Sequence, residues 1–306
     1  MSRYRAAAIG LVLVGLIAAP GVSLAGGAGQ NEGDTDLGRI GHFRYRVDTS
    51  PYRPDASGDA STGCGGRGWR VIGGGAAAIG TDHASWLSMS RPGDTSADAD
   101  TLLDDGWEAS GYGGEGPGIR SWSICLRDPG ASLLWVRADL PDGPASRYGS
   151  VACPSTDWSM LSGGGLISSL ASWLAVIWPS DDGDADTILD DGWSVAALDA
   201  SGGTGGFYAF GICAIGAGEV TTRHGPGREG AAGAVTTVSV RCSPGTHVVG
   251  GGAWVEGVAA DVRLLASAPF DGPDADRTPD DGWKVRVYRV PATPSGTSSA
   301  WATCLG

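Results

Sequence analysis

One ten-residue phrase occurs three times in this chain and restricts the fold more than any other feature. Residues 98–107 read DADTLLDDGW, residues 184–193 DADTILDDGW and residues 274–283 DADRTPDDGW. Each copy follows a triple glycine (Gly73 to Gly75, Gly163 to Gly165, Gly250 to Gly252) and precedes a cysteine (Cys125, Cys213, Cys304). A further cysteine stands before each triple glycine: Cys64, Cys153 and Cys242, spaced 89 residues apart both times (153 − 64 and 242 − 153). A period held that closely is the mark of a repeat architecture. The expected organisation is three β repeats over residues 42–130, 131–217 and 218–306.

The segment before the repeats reads differently. Arg3 and Arg5 precede an apolar run from Ala6 to Ala19, then Pro20 and the small-residue site Ser23-Leu24-Ala25. That is the layout of a secretory signal peptide over residues 1–25, too short in its apolar part for the ~20 residues of a membrane span. Residues 26–41 are small and polar and read as a disordered lead. The rest of the chain is expected outside the cell, with no membrane span after signal removal. A net charge of −13 argues against nucleic acid as a partner.

With 53 glycines and 17 prolines, the composition favours tight turns and short strands. In each repeat a strand leads into the triple glycine (Trp69 to Ile72, Trp158 to Leu161, His247 to Val249). A second ends at a proline (Pro92, Pro179, Pro269), and a third begins at the tryptophan of the phrase (Trp107, Trp193, Trp283). The last carries an aromatic three places before its cysteine (Trp122, Phe210, Trp301). Strand entry into glycines predicts a bulge or a close backbone approach. Without a following helix or lysine, a phosphate cradle is not supported. An additional strand opens each repeat (His42 to Val47, Leu133 to Ala138, Glu219 to Arg223), with a polar loop up to the first cysteine. No stretch holds a helical period. The chain is expected to be all-β, with four or five strands per repeat in one pseudo-threefold body; three separate small β domains in tandem are the alternative.

Six cysteines allow 15 pairings, but a threefold repeat selects one set: Cys64–Cys125, Cys153–Cys213 and Cys242–Cys304. Free thiols are unexpected in an exported protein, and the cysteines are too widely spaced for a metal cluster.

The full order resembles a repeat of secreted bacterial proteins, largely actinobacterial: Cys, Gly-Gly-Gly, strand to Pro, Asp-Ala-Asp, Asp-Asp-Gly-Trp, aromatic-x-x-Cys. It covers residues 64 to 306. A looser likeness, in order and spacing, is to vitelline membrane outer layer protein I, and implies a threefold β-prism.

Two chemistries suit the acid phrase. Calcium takes six to eight oxygen ligands, and the candidates are Asp98, Asp100, Asp104 and Asp105; Asp184, Asp186, Asp190 and Asp191; and Asp274, Asp276, Asp280 and Asp281. The simpler reading has these aspartates capping turns. Among 12 tryptophans, Trp107, Trp193 and Trp283 are expected to be buried against the disulfides. Trp86, Trp135, Trp173, Trp178 and Trp254, not matched across all repeats, are the candidates for stacking on a glycan or cell-surface polymer. No Gly-x-Ser-x-Gly or His-Glu-x-x-His is present, and the four histidines share no repeat position. The expected function is therefore a non-enzymatic structural or binding role, calcium-dependent in one version; a glycan hydrolase using Asp carboxylates is the alternative.

Overall fold

The computed structural model describes residues 32–306 except 41, 54, 81–83, 96–101, 114–115, 128–129, 141–145, 170–171, 182–188, 190, 201–204, 257–261, 274–275, 277 and 292–293. The signal-peptide reading lies outside the described residues. Strand β1 (Glu32–Ile40) precedes the repeats. Repeat 1 holds β2 (Phe43–Ser50), β3 (Ser57–Gly63), β4 (Arg70–Ile79), β5 (Trp86–Gly93), β6 (Gly106–Tyr112) and β7 (Gly118–Leu126). Repeat 2 holds β8 (Ser132–Leu140), β9 (Ser146–Ala152), β10 (Ser159–Ile167), β11 (Ser172–Ser180), β12 (Gly192–Asp199) and β13 (Phe207–Ile215). Repeat 3 holds β14 (Val220–His224), β15 (Arg228–Gly230), β16 (Val235–Arg241), β17 (His247–Val255), β18 (Val262–Phe270), β19 (Gly282–Arg289) and β20 (Gly296–Leu305).

The protein is all-β, with three antiparallel sheets, and no repeat keeps a sheet to itself. Sheet A runs β1-β2-β7-β4-β18-β19-β16, sheet B runs β3-β6-β5-β10-β13-β8, and sheet C runs β14-β20-β17-β11-β12-β9 with β15 on β20. Each repeat therefore divides its strands between two sheets, three and three in repeats 1 and 2 and four and three in repeat 3. Separate β domains in tandem are ruled out by this sharing, because every sheet would be split on separation.

Two expectations change. The polar stretch before each first cysteine is a strand (β3, β9, β16), which raises the count to six or more per repeat. In β3 small residues alternate, with Gly58, Ala60 and Thr62 buried. Residues 32–40, expected within a disordered lead, form β1 and pair antiparallel with β2. An edge strand offers free backbone donors and acceptors, so a polar segment can pair there without an apolar pattern.

The glycine triplets explain how the halves join. Each glycine-rich strand is bulged just before the triplet, with register shifts at Val71/Gly73, Met160/Ser162 and Val248/Gly250. The structure aligns Gly73, Ser162 and Gly250, so the triplet of repeat 2 is offset by one residue. These three positions meet at the pseudo-threefold axis: a Cβ on Gly73 would lie 1.7 Å from the Val249 carbonyl oxygen and 3.1 Å from Ser162 Cβ. The middle glycine seats the tryptophan of the acid phrase, Trp107 on Gly74, Trp193 on Gly163 and Trp283 on Gly251, where a Cβ would fall 2.3–2.5 Å from ring atoms. All three indoles are fully buried. The third glycine lies at the seam between repeats, under the carbonyl of Ser267, Ser90 or Ile177. Bulge and close approach are both present.

The three disulfides are Cys64–Cys125, Cys153–Cys213 and Cys242–Cys304, the pairing the repeat selects. A chain with three such bonds suits an oxidising compartment.

Candidate functional site

The acid phrase acts first through its backbone. The amides of Cys64, Cys153 and Cys242 donate to the carbonyls of Asp105, Asp191 and Asp281 at 2.7–2.9 Å. Val71 and Val248 donate likewise to Asp104 and Asp280. The second acid thus ties down the first half-cystine and the first acid the start of the glycine-rich strand. These carbonyls have to be presented edge-on by a tight turn, which the following glycine permits.

The carboxylates are largely turned onto the protein. Asp104, Asp105, Asp191 and Asp280 are buried. Asp104 pairs with Arg70 at 3.6 Å, and Asp280 with His247 at 2.7 Å. Asp281 accepts from the Gly272 amide, and Asp276 from Thr278 N at 2.6 Å in a local turn. The turn-forming role is therefore visible at Asp276 and Asp281. Among the described residues no three metal-binding side chains cluster. Asp98, Asp100, Asp184, Asp186, Asp190 and Asp274 lie outside the described residues.

The acid loop, or the start of the glycine-rich strand bonded to it, also meets the opening strand of another repeat. The Tyr45 hydroxyl donates to the Val248 carbonyl at 3.0 Å, and the Thr222 hydroxyl to Leu189 O at 2.8 Å. The Arg70 guanidinium, which pairs with Asp104, lies 6.0 Å from the Trp135 ring. Repeat 1 thus docks on repeat 3, repeat 2 on repeat 1, and repeat 3 on repeat 2. Burial, reinforced by Asp280 and Asp276, pushes the Tyr45 phenol well above its ordinary value.

The tryptophan candidates divide. Trp86 and Trp173 occupy equivalent positions, and the third equivalent is Arg263, so the tryptophan is matched in two repeats and not in the third. The Arg263 guanidinium lies 4.7 Å from both indoles. Trp86 and Trp173 donate to the carbonyls of Ser172 and Val262, each in the following repeat. This cluster joins repeats, and burial lowers the pKa of Arg263. Trp135 packs beside the first disulfide. Trp178 and Trp254 remain, and Trp254 is 38% exposed.

Both remaining tryptophans lie on the outer face of sheet C. Residues opposite each other in an antiparallel pair share a face, as do residues two apart. Trp178 stands opposite Ser194, which is opposite Ser150; Val176 stands opposite Ala196, which is opposite Tyr148. On the other half Trp301 is opposite Gly252, and Ser299 opposite Trp254. The halves join at Ile177 and Ala253, which puts Trp178 and Gly252 on the same side. Tyr148 is 61% exposed, lies 5.7 Å from Trp178 ring to ring, and shares a hydroxyl contact of 3.1 Å with Ser194. His224 lies 4.3 Å from Trp301. Tyr148 was not among the sequence candidates, because a single tyrosine between Ser146 and Ser150 carries no motif.

The same register carries other side chains elsewhere. On sheet A an unbroken row runs Thr49, Arg120, Ala77, Ala266, Arg286, Thr237, with Lys284 beside it. On sheet B the corresponding positions include Arg91, Glu108 and Asp59. Arg91 contacts Glu108 at 2.6 Å with both about one-fifth exposed. Burial raises the Glu108 carboxyl above its usual range, outweighing the pull of Arg91. A raised carboxyl contributes stability that is full below its unfolded pKa and lost as pH rises through the folded value. Glu108→Gln is therefore expected to raise Tm at pH 7 and leave it unchanged below about pH 4. Thermal melts at both pH values check this; a lower Tm for the variant at pH 7 would contradict it.

No family model and no curated protein matches this chain. Solved structures that match include those described as the triple jelly roll fold and turret assembly in an archaeal virus and the atomic structure of Sulfolobus turreted icosahedral virus. Each is 10% identical over 90% of this chain, and over 89% and 90% of theirs respectively, with a TM-score of 0.19. At that score the likeness carries no argument about this protein.

Proposed function

We propose that this is a secreted, non-enzymatic binding protein that attaches to a glycan or cell-surface polymer through the outside of a covalently clasped β scaffold. The supporting observation is a contrast between inside and outside. The interior repeats closely, with glycine seats, buried indoles and disulfides in equivalent places. The outward positions of the three sheets differ in chemistry from one another. Shared interior positions serve stability, so a distinct activity is sought where the repeats diverge. The acid loops contribute to the scaffold through backbone carbonyls, and calcium enters as a further requirement only if their outer aspartates bind it.

Co-sedimentation of the chain lacking residues 1–25 with insoluble cellulose, chitin and peptidoglycan tests this, with calcium and with a chelator. Retention on at least one polymer is expected, and protein left in the supernatant of all three ends the proposal. Release by chelator would make the acid loops part of the binding site; unchanged retention would leave them structural.

A further inference from the structure

Three faces built on one register make a controlled comparison, because the backbone is held constant while the outward side chains change. On sheet A those positions carry Arg120, Lys284 and Arg286. On sheet B they carry cations and anions together. On sheet C the outward positions of β9, β12, β11, β17 and β20 named above carry no Asp, Glu, Lys or Arg. On a chain of net charge −13 this central area is without charge, and residues Glu229 and Glu256 flank Thr297 at one end of the face. It is also where the two strongly exposed aromatics of the described residues, Tyr148 and Trp254, lie.

We infer that the outer face of sheet C is the docking platform for a neutral polysaccharide, which rests on the glycan-binding function proposed above. Rings of Tyr148, Trp178, Trp254 and Trp301 lie over a floor of small residues: Gly252, Ser194, Ala196 and Ser299. All four floor residues are buried beneath larger neighbours. Tyr148 and Trp254 stand in one row three strands apart, roughly 14 Å at about 4.8 Å per strand, long enough for several sugar rings and too long for a single one. The C–H face of a pyranose stacks on an aromatic ring, and its hydroxyls find Ser150, Thr222 and the Tyr148 hydroxyl at the margins. A protein partner would need a wide, continuous apolar centre, and here the rings form two narrow rows, Tyr148 to Trp254 across Ala196 and Val176 and Trp178 to Trp301 across Gly252, with Ser150, Ser194 and Ser299 among them. An acidic polysaccharide would meet no cation on this face, while the acidic remainder of the molecule repels it.

The test is a co-sedimentation isotherm on microcrystalline cellulose and on chitin, with a polygalacturonate gel as the acidic probe. The double variant Tyr148→Ala/Trp254→Ala is expected to lose at least about tenfold in affinity for the neutral polymer. Both side chains are exposed, so its Tm is expected to stay near that of the parent. Lys284→Ala/Arg286→Ala, on sheet A, is expected to bind as the parent does. Equal binding by parent and Tyr148→Ala/Trp254→Ala overturns the face while leaving the glycan function standing. Retention on peptidoglycan or the acidic gel, and on neither neutral polymer, overturns the ligand class. A dimer abolished by the double variant would make the face a contact between copies and overturn the inference as well. Failure on every polymer removes the underlying function and this platform with it.

Discussion

Gly73→Ser is expected to prevent folding, whereas Ser162→Gly, at the equivalent place in the second repeat, is expected to be neutral or mildly stabilising. The three equivalent positions, Gly73, Ser162 and Gly250, converge on the axis, and there is room for one side chain among them. A Cβ on Gly73 would fall 1.7 Å from the Val249 carbonyl oxygen and 2.9 Å from its carbon. The obstacle is backbone of another repeat, so no rotamer change relieves it, and separating the strands would pull the inner ends of the sheets apart. Steric conflicts of this kind belong with the largest single-residue effects, above about 4 kcal/mol. Ser162, by contrast, is fully buried, and no described protein group hydrogen-bonds its hydroxyl. Removing an unpaired buried hydroxyl recovers about 1–3 kcal/mol, against about 0.5–1 kcal/mol for a glycine in a strand. Urea unfolding of the two variants measures the difference; a Gly73→Ser protein as stable as the parent would refute the axial packing.

The second large effect is covalent. Replacing Cys242 and Cys304 together by serine is expected to cost about 4 kcal/mol on the chain-entropy model, since the pair closes a loop of sequence separation 62. For a chain of this size that corresponds to a Tm lower by roughly 10 °C. Cys64–Cys125 and Cys153–Cys213 close loops of nearly equal separation, 61 and 60 residues, and the three loops do not overlap. Their losses are therefore expected to add, so that each further pair removed lowers Tm by a similar step. Calorimetry on the single, double and triple pair-deletion variants checks this. A first deletion that costs as much as all three would contradict independent, additive loop entropies.

Other positions divide according to how local their cause is. The cysteine pairing, the strand character around the triple glycines and the burial of Trp107, Trp193 and Trp283 were legible because each follows from a pattern contained within one disulfide loop and repeated in all three units. Strands β3, β9 and β16 were missed, although β16 alternates buried and exposed residues along its length and could have been found by period alone. Strand β1 could not: its pairing depends on an open edge of β2, and nothing in its own side chains announces a partner. Trp86 and Trp173 stand out in the sequence as stacking candidates because they are not matched across all repeats; their third equivalent is Arg263, and the equivalence is hidden when repeats are aligned by residue type. The platform on sheet C needed both Trp254 of one repeat and Tyr148 of another, brought to one row by strands whose pairing is non-local.

By itself, the sequence determined an all-β chain of three like units, each closed by its own disulfide, because repeated spacing and turn chemistry act over short stretches of chain. The tertiary structure alone decided that every unit is divided between two sheets, that only one of three axial positions keeps a side chain, and that the centre of one outer face, between Tyr148 and Trp254, is left without charge. Those outcomes depend on which strand edges meet across repeats, and the meeting is set by packing around the axis, where the space available to each Cβ is a property of all three repeats together.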